Sequence, residues 1–177
     1  TRPASPSWAP ILEAVVNVSE GRDDGVLKAI VDAAQAPGAS VLHVDVGRGA
    51  HRTVITVAGT PEGVLQAVQG LVAEALARLD LRVHTGVHPR LGAVDVVPLV
   101  GLQDLGRQDV AALARELGAQ LAEAHGLPVY LYGDAATAAH RQSLARVRRG
   151  EAESLPRKLG RFPPDFGPRT WSPSLAR

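Results

Sequence analysis

The chain has 177 residues, with 19 Lys and Arg set against 18 Asp and Glu for a net charge of +1; this suits one domain with a substantial core, and leaves no broad field of the kind that gathers nucleic acid. Cysteine is absent, which removes disulfides, thiolate metal sites and a cysteine nucleophile, and with only two each of Phe, Tyr and Trp there is little for an RNA-stacking surface. No apolar run approaches the roughly 20 residues of a membrane span, and TRPASPSWAP lacks the apolar core of a signal peptide, so the expectation is a cytoplasmic protein without membrane contact.

Residues 1–10 hold Pro3, Pro6 and Pro10 without periodicity and read as a flexible arm before a single domain over 11–177. ILEAVVNV, from Ile11 to about Val18, is rich in β-branched residues and ends in the turn formers SEGRDDG. Val26, Leu27, Ile30, Val31 and Ala34 then recur at helical spacing behind Asp23 and Asp24, either of which can accept the free N–H groups of a first turn. SVLHVDV is a second strand, GRGAH a turn, and RTVITVA a third strand paired with the second as a hairpin. Thr60 as cap and Pro61 at the first helical position open the clearest helix, whose apolar face runs from Val64 to Leu79.

After the loop RVHTGVHPRLG, AVDVVPLV is a fourth strand. The order strand, helix, strand, strand, helix, strand predicts a ferredoxin-like βαββαβ core of the α+β kind, with a largely antiparallel sheet and both helices on one face. A further helix from about Gln108 to His125, stopped by Gly126 and Pro128, and a further strand, PVYLYG, extend it. Beyond Gly133 come an Arg-rich helical piece and an irregular tail rich in Pro and Gly.

The loop between the second helix and the fourth strand raises the question of chemistry. His84 and His88 are four apart, the spacing of zinc ligands on a helix, but Gly86 lies between them and Pro89 follows, so the helical geometry is lost and no metal is expected. His88 can cap a backbone group, or serve as an acid/base beside the anion-binding fork of Arg90. Two other polar clusters can converge on it. NVSEG supplies Asn17, Ser19 and Glu20 at the end of the first strand, and DVGRGAHRT supplies Asp45, His51 and Arg52 around the hairpin turn. Each also has an ordinary reading as caps, solvated charges and turn formers.

NVSEGR, LHVDVGRGAHRTV, HTGVHPRLGAVDVVP, LPVYLYGDAA and PPDFGP occur together over Ile11 to Ser174, and in this the chain resembles the N-terminal subdomain of glutamate formiminotransferases. The resemblance implies transfer of the formimino group from N-formimino-L-glutamate to N5 of tetrahydrofolate, a co-substrate, in histidine degradation. It places the acid/base on His88, a carboxylate on Asp45, and folate contacts on the tail that contains Gly167, Pro168 and Trp171. Asn17, Ser19, Glu20, His51, Arg52 and Arg90 complete the set expected to face folate and formiminoglutamate-like molecules. Thr85 and Val87 stand where family members usually have lysine and an acidic residue, and His51 where asparagine is common. The family's transferase module continues into a second subdomain. The expectation is therefore a half-site closed by a homodimer partner or by a separate chain carrying that subdomain, the alternative being a non-catalytic folate- or anion-binding module.

Overall fold

A computed structural model describes residues 9–84 and 90–175. Strand β1 (Ile11–Val18) buries Leu12, Ala14, Val16 and Val18 completely, the period of two that a strand with one covered face requires. Asp23 caps helix α1 (Asp24–Ala33) by accepting from the Val26 N–H, and Thr60 caps helix α2 (Pro61–Arg78) by accepting from the Gly63 N–H. Between these helices, β2 (Ala39–Gly47) and β3 (Arg52–Gly59) form the expected hairpin.

The fourth strand is broken. Pro98 cannot donate to a ladder, so the run divides into β4 (Val94–Val96) and β5 (Leu99–Gln103), both antiparallel to β1. The Pro98 carbonyl still accepts from the Val15 N–H at 3.0 Å, which keeps the two pieces on one edge. The resulting order, β2-β3-β1-β4 with β5 also on β1, is an antiparallel sheet in the ferredoxin-like arrangement. Leu27 and Ile30 of α1 and Val64, Val68, Leu71 and Val72 of α2 share one core with Ile55, Val57 and the buried residues of β1, so both helices lie on the same face.

Helix α3 (Arg107–His125) adds Leu117 and Leu121 to that core and ends at Gly126 in the left-handed region, φ 63°. The further strand expected over Pro128 to Gly133 does not form a ladder. Val129 makes a single bridge with Phe166, and the next backbone donor, Leu131 N–H, is taken by the Asp165 side chain at 2.8 Å. The partner stretch contains Pro163, Pro164 and Pro168, which have no N–H to give. Gly167 sits at φ 86°, and a Cβ there would lie 1.9 Å from the Leu127 carbonyl oxygen, so this crossing demands glycine. Two short helices, α4 (Leu144–Arg148) and α5 (Leu155–Arg161), complete the Arg-rich segment. Among the described residues no helix is long and apolar enough to cross a membrane.

Candidate active site

Three chain segments meet beyond the end of β1, and small backbone approaches make the meeting possible. A Cβ on Gly21 would come within 2.7 Å of the Gly47 carbonyl oxygen and 2.8 Å of the Arg52 nitrogen, so glycine lets the NVSEG turn press against the β2–β3 turn. Thr53 Oγ1, fully buried, donates to the Glu20 carbonyl at 2.6 Å, and Ser19 Oγ donates to the Gly92 carbonyl at 2.8 Å. Ser19 thus holds the end of β1 against the stretch entering β4, a positioning role, and only 3% of its surface is exposed.

Glu20 is the centre of the cluster. Its Oε1 accepts from the N–H groups of Gly21 and Arg22, both at 2.7 Å, and of Asp23 at 3.1 Å. Burial on its own raises a carboxyl pKa, but the backbone donors of Arg22, Asp23 and Gly21, together with His51, outweigh it and hold Glu20 below its ordinary value. The carboxylate is ionised at neutral pH, so His51 Nε2, 3.1 Å from the same oxygen, is the protonated nitrogen of its ring. His51 itself sits at φ 52°, an unusual conformation for a non-glycine residue, inside the hairpin turn.

The His84 ring stacks on His51 with centroids 4.1 Å apart and planes 12° from parallel. Its Nε2 donates to the His51 carbonyl at 3.2 Å, while its Nδ1 is buried with no hydrogen-bond partner among the described residues. Burial, then the His51 and Arg90 charges, lower the His84 pKa and keep the ring neutral. Arg90 closes the group by donating to the His84 carbonyl at 3.3 Å and facing Glu153 at 3.5 Å. His51 and His84 are 33 residues apart, and no local pattern announces their contact. The sequence places His84 only in a discarded metal motif.

Asn17 and Arg52 form the shoulder of this site. Arg52 Nη1 donates to Asn17 Oδ1 at 2.9 Å, and Asn17 Nδ2 donates to the Val15 carbonyl at 3.2 Å. Asp45 pairs with Val54, which in turn pairs with Asn17, so Asp45 and Asn17 lie on one rung of the sheet, roughly 10 Å apart across β3. Their rung points away from the helices, and Asp45 is exposed. His88 lies outside the described residues. Gly167 and Pro168 belong to the crossing with Leu127, and no hydrogen bond among the described residues joins them or Trp171 to Glu20, His51 or His84. A cavity of about 600 Å³ is lined mainly by apolar groups such as Leu76, Val96, Leu121 and Leu131 on the helical side of the sheet, and none of Asn17, Glu20, His51 or His84 borders it. Among the described residues no three His, Asp or Glu side chains are arranged to hold a metal.

Residues 11–175 match the family model described as the formiminotransferase domain, N-terminal subdomain. The chain belongs to this family. It is 43% identical over 167 residues to the formimidoyltransferase-cyclodeaminase of Sus scrofa, an alignment covering 93% of the chain and 31% of that protein. It is 34% identical over 169 residues to a glutamate formimidoyltransferase of Streptococcus pyogenes serotype M1 and 40% identical over 164 residues to one of Thermoplasma acidophilum. Those two alignments cover 94% and 89% of the chain but 56% and 54% of the relatives, so it spans about half of their length. Glu20, His51 and His84 all lie within the matched span.

Proposed function

We propose that this chain supplies one wall of a formimidoyl-transfer site, moving the group from N-formimino-L-glutamate to N5 of tetrahydrofolate in histidine degradation. In this reading the N5 lone pair attacks the formimidoyl carbon and a C–N bond forms. The N5 proton passes to a base, the bond from that carbon to the glutamate nitrogen breaks, and the leaving amine receives a proton. An imidazole backed by an ionised carboxylate suits both transfers near neutral pH. His51, held by Glu20 at 3.1 Å, is such a group, and its ring stacks on that of His84. The guanidinium of Arg52 is suited to a substrate carboxylate and Asp45 to the cationic formimidoyl nitrogens.

The observation that carries this reading is the Glu20–His51 pair in a chain matching the family over 11–175. The solvent-facing position of Asp45 supports a half-site, closed by a second subdomain in a continuation of the chain or in a partner. Orientation within a closed site is worth roughly 7–11 kcal/mol of barrier, so the half-site alone is expected to turn over slowly. The test is a spectrophotometric transfer assay with formiminoglutamate and tetrahydrofolate, run with and without the second subdomain. His51→Ala and His88→Ala should each lower kcat by about 10²- to 10⁴-fold in the completed site. Unchanged turnover in both variants would refute the assignment.

A further inference from the structure

Residues 141–161 carry seven of the chain's 19 cationic side chains, Arg141, Arg146, Arg148, Arg149, Arg157, Lys158 and Arg161, against two carboxylates, Glu151 and Glu153. Arg148 turns away to an ion pair with Asp95. The other six border a concavity of about 530 Å³ whose wall also includes the Tyr130 and Phe162 rings and, among the described residues, no carboxylate.

The six cations fall into two tiers. Arg141 and Lys158 form the floor, the former paired with Asp165 at 2.5 Å and the latter donating to the Val147 carbonyl. Both stand over the Tyr130 ring, at 5.6 and 5.2 Å from its centroid. Tyr130 in turn donates its hydroxyl to the Phe162 carbonyl at 3.0 Å, which fixes the ring as a platform. Arg146, Arg149, Arg157 and Arg161 form the rim, exposed and without an ion-pair partner among the described residues. An ordinary solvated face spreads its charges over a convex surface. Here like charges converge on a hollow, and a bound anion would relieve their mutual repulsion.

We propose that this hollow is a binding site for a small oligoanion, a molecule bearing two or more phosphate or carboxylate groups. Guanidinium forks match the two oxygens of either group, and the volume falls within the 300–1,000 Å³ or so of small-molecule sites. The site is separate from the Glu20–His51 cluster, shares no residue with it, and does not depend on the transfer reaction.

Calorimetric titration of the 177-residue chain with pyrophosphate and with citrate, at constant ionic strength set by sodium chloride, tests this. At least one probe should saturate a single site per chain, weakening as salt is raised, and the preferred probe identifies the phosphate or carboxylate source. The double variant Arg157→Ala/Arg161→Ala removes only exposed side chains and should keep the wild-type urea midpoint. It is expected to weaken binding by about tenfold or more, whereas Arg115→Ala, one charge removed from α3 outside the hollow, should leave the Kd unchanged. Absence of saturable binding by both probes, equal weakening by Arg115→Ala, or an unaltered Kd in the double variant would overturn the proposal.

Discussion

Between β1 and α2 the chain buries Leu12, Val16, Ile55, Val64, Leu71 and their neighbours in one continuous apolar core, while residues 126–175 gather only small satellites such as Leu155, Leu159 and Leu175. The later segment is held by polar devices. Asp165 accepts from Leu131 N–H, Thr137 Oγ1 and Arg141, and Arg141 also donates to the Pro163 carbonyl at 2.5 Å. Asp95, with 2% of its side chain exposed, takes Leu91 N–H at 2.8 Å and the Arg148 guanidinium. Apolar packing is non-directional and tolerates adjustment, whereas a buried charge without its partner has nothing to replace it. The two regions should therefore fail in different ways.

The sharpest break should come from Asp165→Ala. It strands Arg141, whose side chain is 11% exposed, and orphans two further donors. A loss of about 3–5 kcal/mol is expected. Urea unfolding should show residues 126–175 melting before the sheet, read by hydrogen exchange at Val129 and Leu131 against Val16 and Ile55. Simultaneous loss of protection at all four would mean that the two regions are one cooperative unit. Leu71→Ala, in a fully buried position of α2, should cost about 3 kcal/mol and lower the protection of the whole sheet together. If it instead spares β1 and β3, the shared core is not what joins them.

The same contrast explains what could be read from the chain before its structure. The βαββαβ order, the Thr60 to Leu79 helix and the caps Asp23 and Thr60 follow from period and local chemistry, signals that span a few residues. The break at Pro98 was visible as a proline but not as a split strand, because Pro98 keeps its carbonyl in the ladder. The extended PVYLYG segment looked like a strand because its composition is that of one. Its partner is a proline-rich tail 37 residues later, Val129 to Phe166, and no local rule supplies that pairing. At the candidate site, Asn17, Glu20, His51 and Arg52 were visible as polar residues at element ends, but the direction of each bond was not. His84 was missed as a stacking partner because the contact depends on where two separate loops come to rest.

Two pH windows separate the members of that cluster. Glu20 has a folded pKa below its ordinary 4.5, so it contributes stability that is fully present above that value and lost as pH falls through the folded pKa. His84 is also depressed, from 6.5, and is packed against His51 with Arg90 and Glu20 nearby. Its unfolded form binds a proton more readily, so stability declines as pH falls below about 6.5. In His84→Phe, which keeps a stacking ring, the decline beginning near pH 6.5 should shrink while the one below 4.5 remains. Glu20→Gln should do the reverse. Identical pH–stability curves for His84→Phe and wild type would show that His84 does not titrate as its surroundings imply.

The smallest expected effects concern helix caps, and they test the contrast where apolar packing is not involved. Asp23 and Thr60 accept from Val26 and Gly63 N–H at 2.9 and 3.2 Å, so α1 and α2 each begin with a satisfied donor. Ser143 and Ser154, at the corresponding positions of α4 and α5, make no such bond, and the Ser154 hydroxyl donates to the Glu151 carbonyl instead. Thr60→Ala should therefore cost about 1 kcal/mol, the ordinary value for removing a working cap. Ser143→Ala should stay within about 0.5 kcal/mol of wild type, as a surface change that removes no bond does. Urea midpoints at a shared slope measure both. A Ser143→Ala loss equal to that of Thr60→Ala would mean that α4 is capped in solution, and that local helix chemistry stabilises the Arg-rich segment as it does the sheet region.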